Sequence, residues 1–314
     1  MSVTFAWRPP SPDTMAPTGA AALDRGLWLR GEPGRTVVLV HGLTGSPAEM
    51  KFLATFLHRR GYSVVVPRLA NHGAPMAVLR RTRWQQCYQS VREVLTASDS
   101  PAASGPVFVA GLSMGALLAL LLAQEFPDRI AGVSGLSPTL FYDGWNTPWY
   151  RHLLLPLCAY TPLEHFFYFK EEPPYGIKNE AIRRRVHAYY AQARLGDTDG
   201  AAQYGYPYIP ATLFHEMHRL VQHLTARLPE MTMPVQLIQA VDDDITSIKN
   251  SQFIYDRVRS TVKELVLLKN SYHVVTADQE RDTVVQHMDA FFNRILPGAE
   301  VLHPRAAVPA TVSS

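Results

Sequence analysis

Short, nearly continuous apolar runs recur along the chain, and each is followed by a segment whose apolar positions repeat at helical spacing. Thr36–Val40, residues 62–67, residues 107–110 and Ile130–Leu136 are rich in Val, Ile and Leu without a polar residue at every second position. Runs of that kind predict strands covered on both faces, as in a parallel sheet. Between them, residues 48–60 place Met50, Phe52, Leu53, Phe56 and Leu57 on one helical face, and residues 84–97 and 116–123 also read as helices. A possible first strand lies around residues 26–30. The pattern resumes late, with strands at Val235–Ala240 and Lys263–Leu268 and helices at residues 251–258 and 278–296. Strand and helix alternating in this way predict an α/β fold, a doubly wound, mostly parallel sheet.

The alternation breaks between residues 138 and 232, where prolines and aromatics are frequent and helix-like pieces fall near 150–160, 178–195 and 211–228. This segment is expected to form a helical cap insertion over one end of the sheet. The expected division is then a core built from 1–137 and 233–297, a cap from 138–232, and a flexible tail from 298–314.

Composition narrows the class. A chain of 314 residues can bury one large core with a substantial insertion, and 47% hydrophobic against 18% charged residues is globular rather than disordered. The net charge of +3 is small, and Arg183-Arg184-Arg185 reads as a solvated helix face, so no nucleic-acid partner is expected. Cys87 and Cys158 are too few for a disulfide framework and suit a reducing compartment. The first residues lack a basic stretch followed by an apolar run, and no stretch of about twenty apolar residues exists to span a membrane. A cytoplasmic location is the expectation.

The candidate chemistry begins at Gly111-Leu112-Ser113-Met114-Gly115, a G-x-S-x-G sequence placed between an apolar strand and a helix. Alone, the pattern arises in roughly one chain in ten of this length. Its setting makes it a candidate nucleophile elbow: a side chain two positions before or after Ser113 would strike the neighbouring strand or helix, and glycine removes that clash. The serine is then presented at a helix N-terminus, which favours developing negative charge.

A serine needs a base, and the base needs an orienting group. In doubly wound hydrolases these follow in the order Ser, Asp or Glu, His, each after a late strand. Asp242-Asp243-Asp244 follows Val235–Ala240, and His273 follows Lys263–Leu268. Only one of the three aspartates can turn inward to hold an imidazole, and the other two are expected to face solvent. His41 and His72 precede glycines in loops and are expected to serve loop hydrogen bonding. His215 and His218 stand three apart without a matching carboxylate or cysteine set, so neither metal nor other cofactor is expected. The oxyanion would be held by backbone amides: that of Met114, following the nucleophile, and that of Leu43 in the loop after Thr36–Val40, where Gly42 permits close approach.

These residues make the chain similar to α/β-hydrolases of the carboxylesterase and monoacylglycerol-lipase type. The resemblance rests on residues 37–47, on residues 111–115, and on residues 239–282, including Ile254-Tyr255, Ser271-Tyr272-His273-Val274-Val275 and Asp278-Gln279-Glu280. It covers the sheet domain and does not extend over residues 138–232. Carried over by position, it implies Ser113 as nucleophile, His273 as base and Asp243 as orienting acid, the last by counting back without a gap from Ile254-Tyr255. Many relatives place Val or Ile three residues after the acid, which would favour Asp242, three before Ile245, and Asp244 also stays open.

The implied activity is hydrolysis of a small-molecule carboxylic ester through an acyl-enzyme on Ser113. The insertion carries Phe141, Tyr142, Trp145, Trp149, Tyr150, Leu153–Leu155 and Phe166–Phe169 with Tyr168 among them, more aromatic surface than a small cap core needs, which points to apolar acyl chains. A monoacylglycerol lipase, a hydrolase of another acyl or carbon–carbon bond, and a non-catalytic ligand receptor on the same fold are the alternatives.

Overall fold

A computed structural model describes residues 26–96, 100, 102, 105–147, 161–193 and 205–296. Its strands in chain order are β1 (Leu27–Leu29), β2 (Thr36–Val40), β3 (Ser63–Val66), β4 (Val107–Leu112) and β5 (Ile130–Leu136). They continue with β6 (Tyr168–Lys170), β7 (Tyr208–Pro210), β8 (Val235–Ala240) and β9 (Lys263–Leu268). The helices are α1 (Lys51–Arg59), α2 (Met76–Leu79), α3 (Trp84–Thr96), α4 (Met114–Glu125), α5 (Glu180–Gln192), α6 (Ala211–Thr225), α7 (Lys249–Arg257) and α8 (Arg281–Ile295).

The main sheet runs in the order β1-β3-β2-β4-β5-β8-β9. β1 pairs antiparallel with β3, Leu27 opposite Val66, and the remaining neighbours are parallel, so the expected mostly parallel sheet is present. The chain moves outward from β2 to β3 and then returns to the other side of β2 as β4. Connections leave β2 and β4 in opposite directions there, opening a crevice at the carboxyl ends of those strands, the usual ligand position in such sheets.

Alternating side chains send the two faces of each strand into separate cores. Val37, Leu39, Val64, Val66 and Phe108 pack with Leu53 and Leu57 of α1 and Met288, Phe291 and Phe292 of α8. Val38, Val40, Val65 and Val109 pack on the opposite face with Val91 of α3 and Leu117 and Leu121 of α4. Each such side chain contributes about 1.5–3 kcal/mol on burial. Ten of the twelve residues of α4 are buried, so this helix is enclosed rather than amphipathic: the sheet covers one side, α3 and α6 the other. Met217, Leu220 and Leu224 of α6 join the same core.

Several boundaries differ from the pattern for local reasons. The helix expected over residues 48–60 begins as a 3₁₀ turn, Pro47–Met50, capped by Ser46, whose hydroxyl accepts from the Ala48 amide at 3.2 Å. The helix expected from 278 starts at Arg281, because the Asp278 carboxylate is engaged by the amides of Tyr272, Lys178 and Asn179. In the insertion, the helices expected at 178–195 and 211–228 are α5 and α6, while the one expected near 150–160 lies outside the described residues, with Trp149, Tyr150 and Leu153–Leu155. The insertion also holds an antiparallel pair, β6 with β7, Tyr168 opposite Pro210. Strands of three residues joined across forty positions leave no alternation to read. The tail 298–314 lies outside the described residues. Among the described residues, no helix is long and apolar enough to cross a membrane.

Candidate active site

Ser113 follows β4 directly and precedes α4 with φ +57° and ψ −116°, a left-handed conformation that a non-glycine residue adopts only under constraint. Gly111 and Gly115 supply that constraint. A methyl group on Gly111 would lie 2.1 Å from the Gly115 carbonyl oxygen, and one on Gly115 would lie 2.2 Å from that of Val40 in β2. The elbow is therefore as tight as the sequence implied, and it lifts Ser113 into the crevice between β2 and β4. Its hydroxyl is 2.9 Å from Thr139 Oγ1, a partner on the loop after β5 that the sequence did not single out.

Met114 opens α4, so its amide belongs to the first turn, which has no intrahelical acceptor, while its side chain is buried in the core. The loop after β2 lies alongside: a methyl on Gly42 would meet Ser113 Cβ at 3.6 Å, and Leu43 lines the same pocket as Ser113. Glu49 fixes this loop, its Oε2 accepting from the Gly42 amide at 3.0 Å. The Glu49 carboxyl is pushed up to about 7, chiefly by burial and further by Glu171, against the opposing effects of the Gly42 N–H and His273. Its part in the site was not legible in the sequence.

His273 stands on the loop after β9, buried, with Nδ1 3.1 and 2.9 Å from the two carboxylate oxygens of Asp243. A carboxylate facing Nδ1 selects the tautomer protonated there and leaves Nε2 as the basic nitrogen. Burial disfavours the imidazolium, but the charge and hydrogen bond of Asp243, with the charges of Asp244 and Glu49, outweigh it, and His273 titrates above its ordinary value. Asp243 is itself held by the Gln239 side chain, by the Ile245 and Thr246 amides and by the Thr246 hydroxyl.

The three neighbouring aspartates take different places. Asp242 is half exposed and pairs with Lys178 Nζ at 3.2 Å. Asp244 was expected to face solvent with Asp242 but is 2% exposed, accepting from the amides of Gly176 and His273. Burial, with the neighbouring Asp243 charge, raises its pKa against the pull of His273 and the Gly176 N–H.

His41, His72 and His215 hold neighbouring segments in place. The Leu69 amide donates to His41 Nε2, which leaves Nδ1 to donate to the Gly42 carbonyl oxygen, and burial and His72 hold its pKa well below the usual value. His72 faces the Ala70 carbonyl oxygen and is lowered to about 4 by burial. His215 pairs with Glu164 inside the insertion at 2.8 Å.

Ser113, His273, Gly42 and Leu43 border one pocket of about 890 Å³. Tyr142, Phe169, Ile209 and Phe214 of the insertion form apolar parts of its wall, and Glu49, Lys51, Lys170, Glu171 and Arg185 form polar parts.

A serine on a strained turn at the switch point of a doubly wound sheet, sharing a pocket with a carboxylate-held imidazole, defines an α/β hydrolase. The chain belongs to the family described as serine aminopeptidase S33 (Hydrolase_4), whose profile matches residues 31–280, and within it to the esterase and lipase type. It is similar to the thermostable monoacylglycerol lipase of Bacillus sp. (strain H-257), 26% identical over 256 residues that span 82% of this chain and 89% of that protein. It is 22% identical to the carboxylesterase of Bacillus subtilis (strain 168) over 267 residues, 83% of this chain and 93% of the relative. A solved structure from LipS and LipT, two metagenome-derived lipolytic enzymes, matches with a TM-score of 0.70 at 26% identity, covering 86% of this chain and 97% of the other.

Proposed function

We propose that the protein is a serine carboxylesterase that hydrolyses carboxylic esters with apolar acyl chains through an acyl-enzyme on Ser113. The observation that carries this reading is the meeting of the Ser113 hydroxyl and the Asp243-bound imidazole of His273 in one pocket, although they stand 160 residues apart in the chain. The hydroxyl leaves Thr139 and turns to His273 Nε2, a rearrangement of the kind that substrate binding commonly completes. Nε2 takes the proton as Oγ bonds to the ester carbonyl carbon, and the amides of Leu43 and Met114 receive the negative charge that forms on the carbonyl oxygen. His273 then gives its proton to the departing alcohol as the carbon–oxygen bond breaks. Water repeats the sequence on the acyl-enzyme and restores the serine.

Residues 138–232 are read as the cap that selects substrate, supported by the aromatic wall that Tyr142, Phe169 and Phe214 contribute. The substrate is a small-molecule ester, and a cytoplasmic location fits the buried thiol of Cys87. A monoacylglycerol as the ester is the second reading, favoured by the similarity to the Bacillus sp. lipase.

Hydrolysis of p-nitrophenyl esters from acetate to palmitate, alongside monoacylglycerols of the same acyl lengths, tests both. Ser113→Ala is expected to abolish turnover, with wild-type rates rising from acetate toward medium chains. Turnover of monoacylglycerols well above that of alkyl esters of equal acyl length would select the second reading. Full activity in Ser113→Ala would remove both.

A further inference from the structure

The turn of the cap before α5 is bonded directly to the loop that carries His273. The Val274 amide donates to the Gly176 carbonyl oxygen at 2.7 Å, and the Gly176 amide donates to Asp244 Oδ2 at 3.0 Å. The other oxygen of the same carboxylate faces the His273 amide at 3.4 Å. Asp244 thus stands between the main chain of the base and the main chain of the cap. Its own carbonyl oxygen accepts from Asn146, so the first turn of the cap is fastened to it as well. Gly176 has φ +71°, and a methyl there would lie 2.8 Å from Val274 Cγ2 and 3.1 Å from His273 Cβ, so the cap packs on the base without a side chain between. Burying a carboxylate is costly, and Asp244 offsets that cost with hydrogen bonds from the amides of two separate segments.

We propose that Asp244 is a positioning residue for the reaction, holding the His273 main chain and the cap turn at Gly176 as one unit while its charge acts on the imidazole. This rests on the reading of Ser113 and His273 given above. The cap is then fixed to the histidine loop along this side. Residues 174–179 stay closed on the histidine loop throughout turnover, with the Asp278 carboxylate holding the Lys178, Asn179 and Tyr272 amides at 2.7–2.8 Å.

The charged groups around the imidazole are Asp243, Asp244 and Glu49, with the Asp242–Lys178 pair outside them. All three buried carboxyls favour imidazolium when ionised. Removing the Asp244 charge therefore lets His273 lose its proton at a lower pH, and the acidic limb of kcat/KM moves to lower pH.

Two measurements test this on the full-length protein. Amide hydrogen exchange on the wild type needs no variant: the Gly176 and Val274 amides are expected to exchange slowly and together, and a Gly176 amide exchanging like an open loop overturns the proposal. Asp244→Asn keeps one acceptor oxygen, turns an amide group toward the other donor and removes the charge. It is expected to lower kcat for p-nitrophenyl butyrate about 10- to 100-fold with little change in KM, the range that misplacing a reacting group produces. Its acidic limb should also lie below that of wild type. Asp278→Asn, which cuts the same cap turn away from Tyr272 without facing the His273 amide, is expected to lower Tm and leave the limb in place. A limb unmoved in Asp244→Asn, or moved equally in both variants, overturns the proposal. Failure of the underlying reading is separate, since it appears as activity surviving Ser113→Ala and does not touch the exchange result.

Discussion

Gly115 approaches β2 so closely that a methyl group on it would lie 2.2 Å from the carbonyl oxygen of Val40. The obstacle is backbone in the central strand pair, with no flexible side chain to yield. Gly115→Ala is expected to force α4 away from β2, costing about 1–3 kcal/mol as overpacking does, and to displace Ser113 with it. A urea midpoint below wild type, together with loss of most p-nitrophenyl butyrate turnover, is the expected outcome. A folded, fully active alanine variant would show that the elbow has more room than this contact allows.

The aspartate assignment separates cleanly by substitution. Asp243→Asn presents an amide to His273 Nδ1 and favours the wrong tautomer, so kcat/KM is expected to fall by about 10⁴. Asp242 lies at the surface, and its pairing with Lys178 is of the exposed kind that contributes about 0–1 kcal/mol. Asp242→Asn is expected to stay within about twofold of wild type in kcat/KM. Steady-state kinetics of the two variants on one aryl ester decides the matter.

The Ser113 hydroxyl lies 2.9 Å from Thr139 Oγ1. With the Thr139 proton directed at the Ser137 carbonyl oxygen, Ser113 donates to Thr139, and that bond must break before the serine can give its proton to His273. A neutral hydrogen bond contributes about 1 kcal/mol net. Thr139→Val is therefore expected to leave the site competent and to raise the acylation rate, by no more than about fivefold. Stopped-flow measurement of the p-nitrophenolate burst reads this step directly. A large drop would mean that Thr139 supports the reacting geometry instead of competing with it.

Much of this arrangement was legible because its signals are local. β2 and β4 stand out since both faces of a central parallel strand are buried, leaving Thr36–Val40 and Val107–Leu112 with almost no polar interruption. Gly111, Ser113 and Gly115 were legible because the elbow's steric demand falls within five residues. Glu49, Thr139 and Asp244 were not, because each acts through a partner fixed only by tertiary structure. Thr139 reaches Ser113 across 26 positions, and Asp244 meets Gly176 across 68. In sequence, Asp244 is one of three equal neighbours; only the turn after β8 decides that one faces the imidazole, one the cap and one the solvent.

Glu49 ties the pocket to the pH dependence of stability. Its carboxyl is held at about 7 against an ordinary value of 4.5, mainly by burial beside the Gly42–Gly45 loop. The folded protein therefore binds a proton that the unfolded chain has already released between those two values. Where the folded state holds the extra proton, stability falls as pH rises. The contribution of the neutral carboxyl is fully present below about pH 4.5 and is lost as pH passes through about 7. The loss is on the order of 3 kcal/mol at most. Glu49→Gln keeps an acceptor for the Gly42 amide and cannot ionise, so it is expected to escape this loss. The difference in Tm between Glu49→Gln and wild type should accordingly grow in favour of the glutamine variant from pH 5 to pH 8. Parallel thermal melts of the two proteins across that range check the sign, and a difference that shrinks or stays flat would show that Glu49 is ionised throughout.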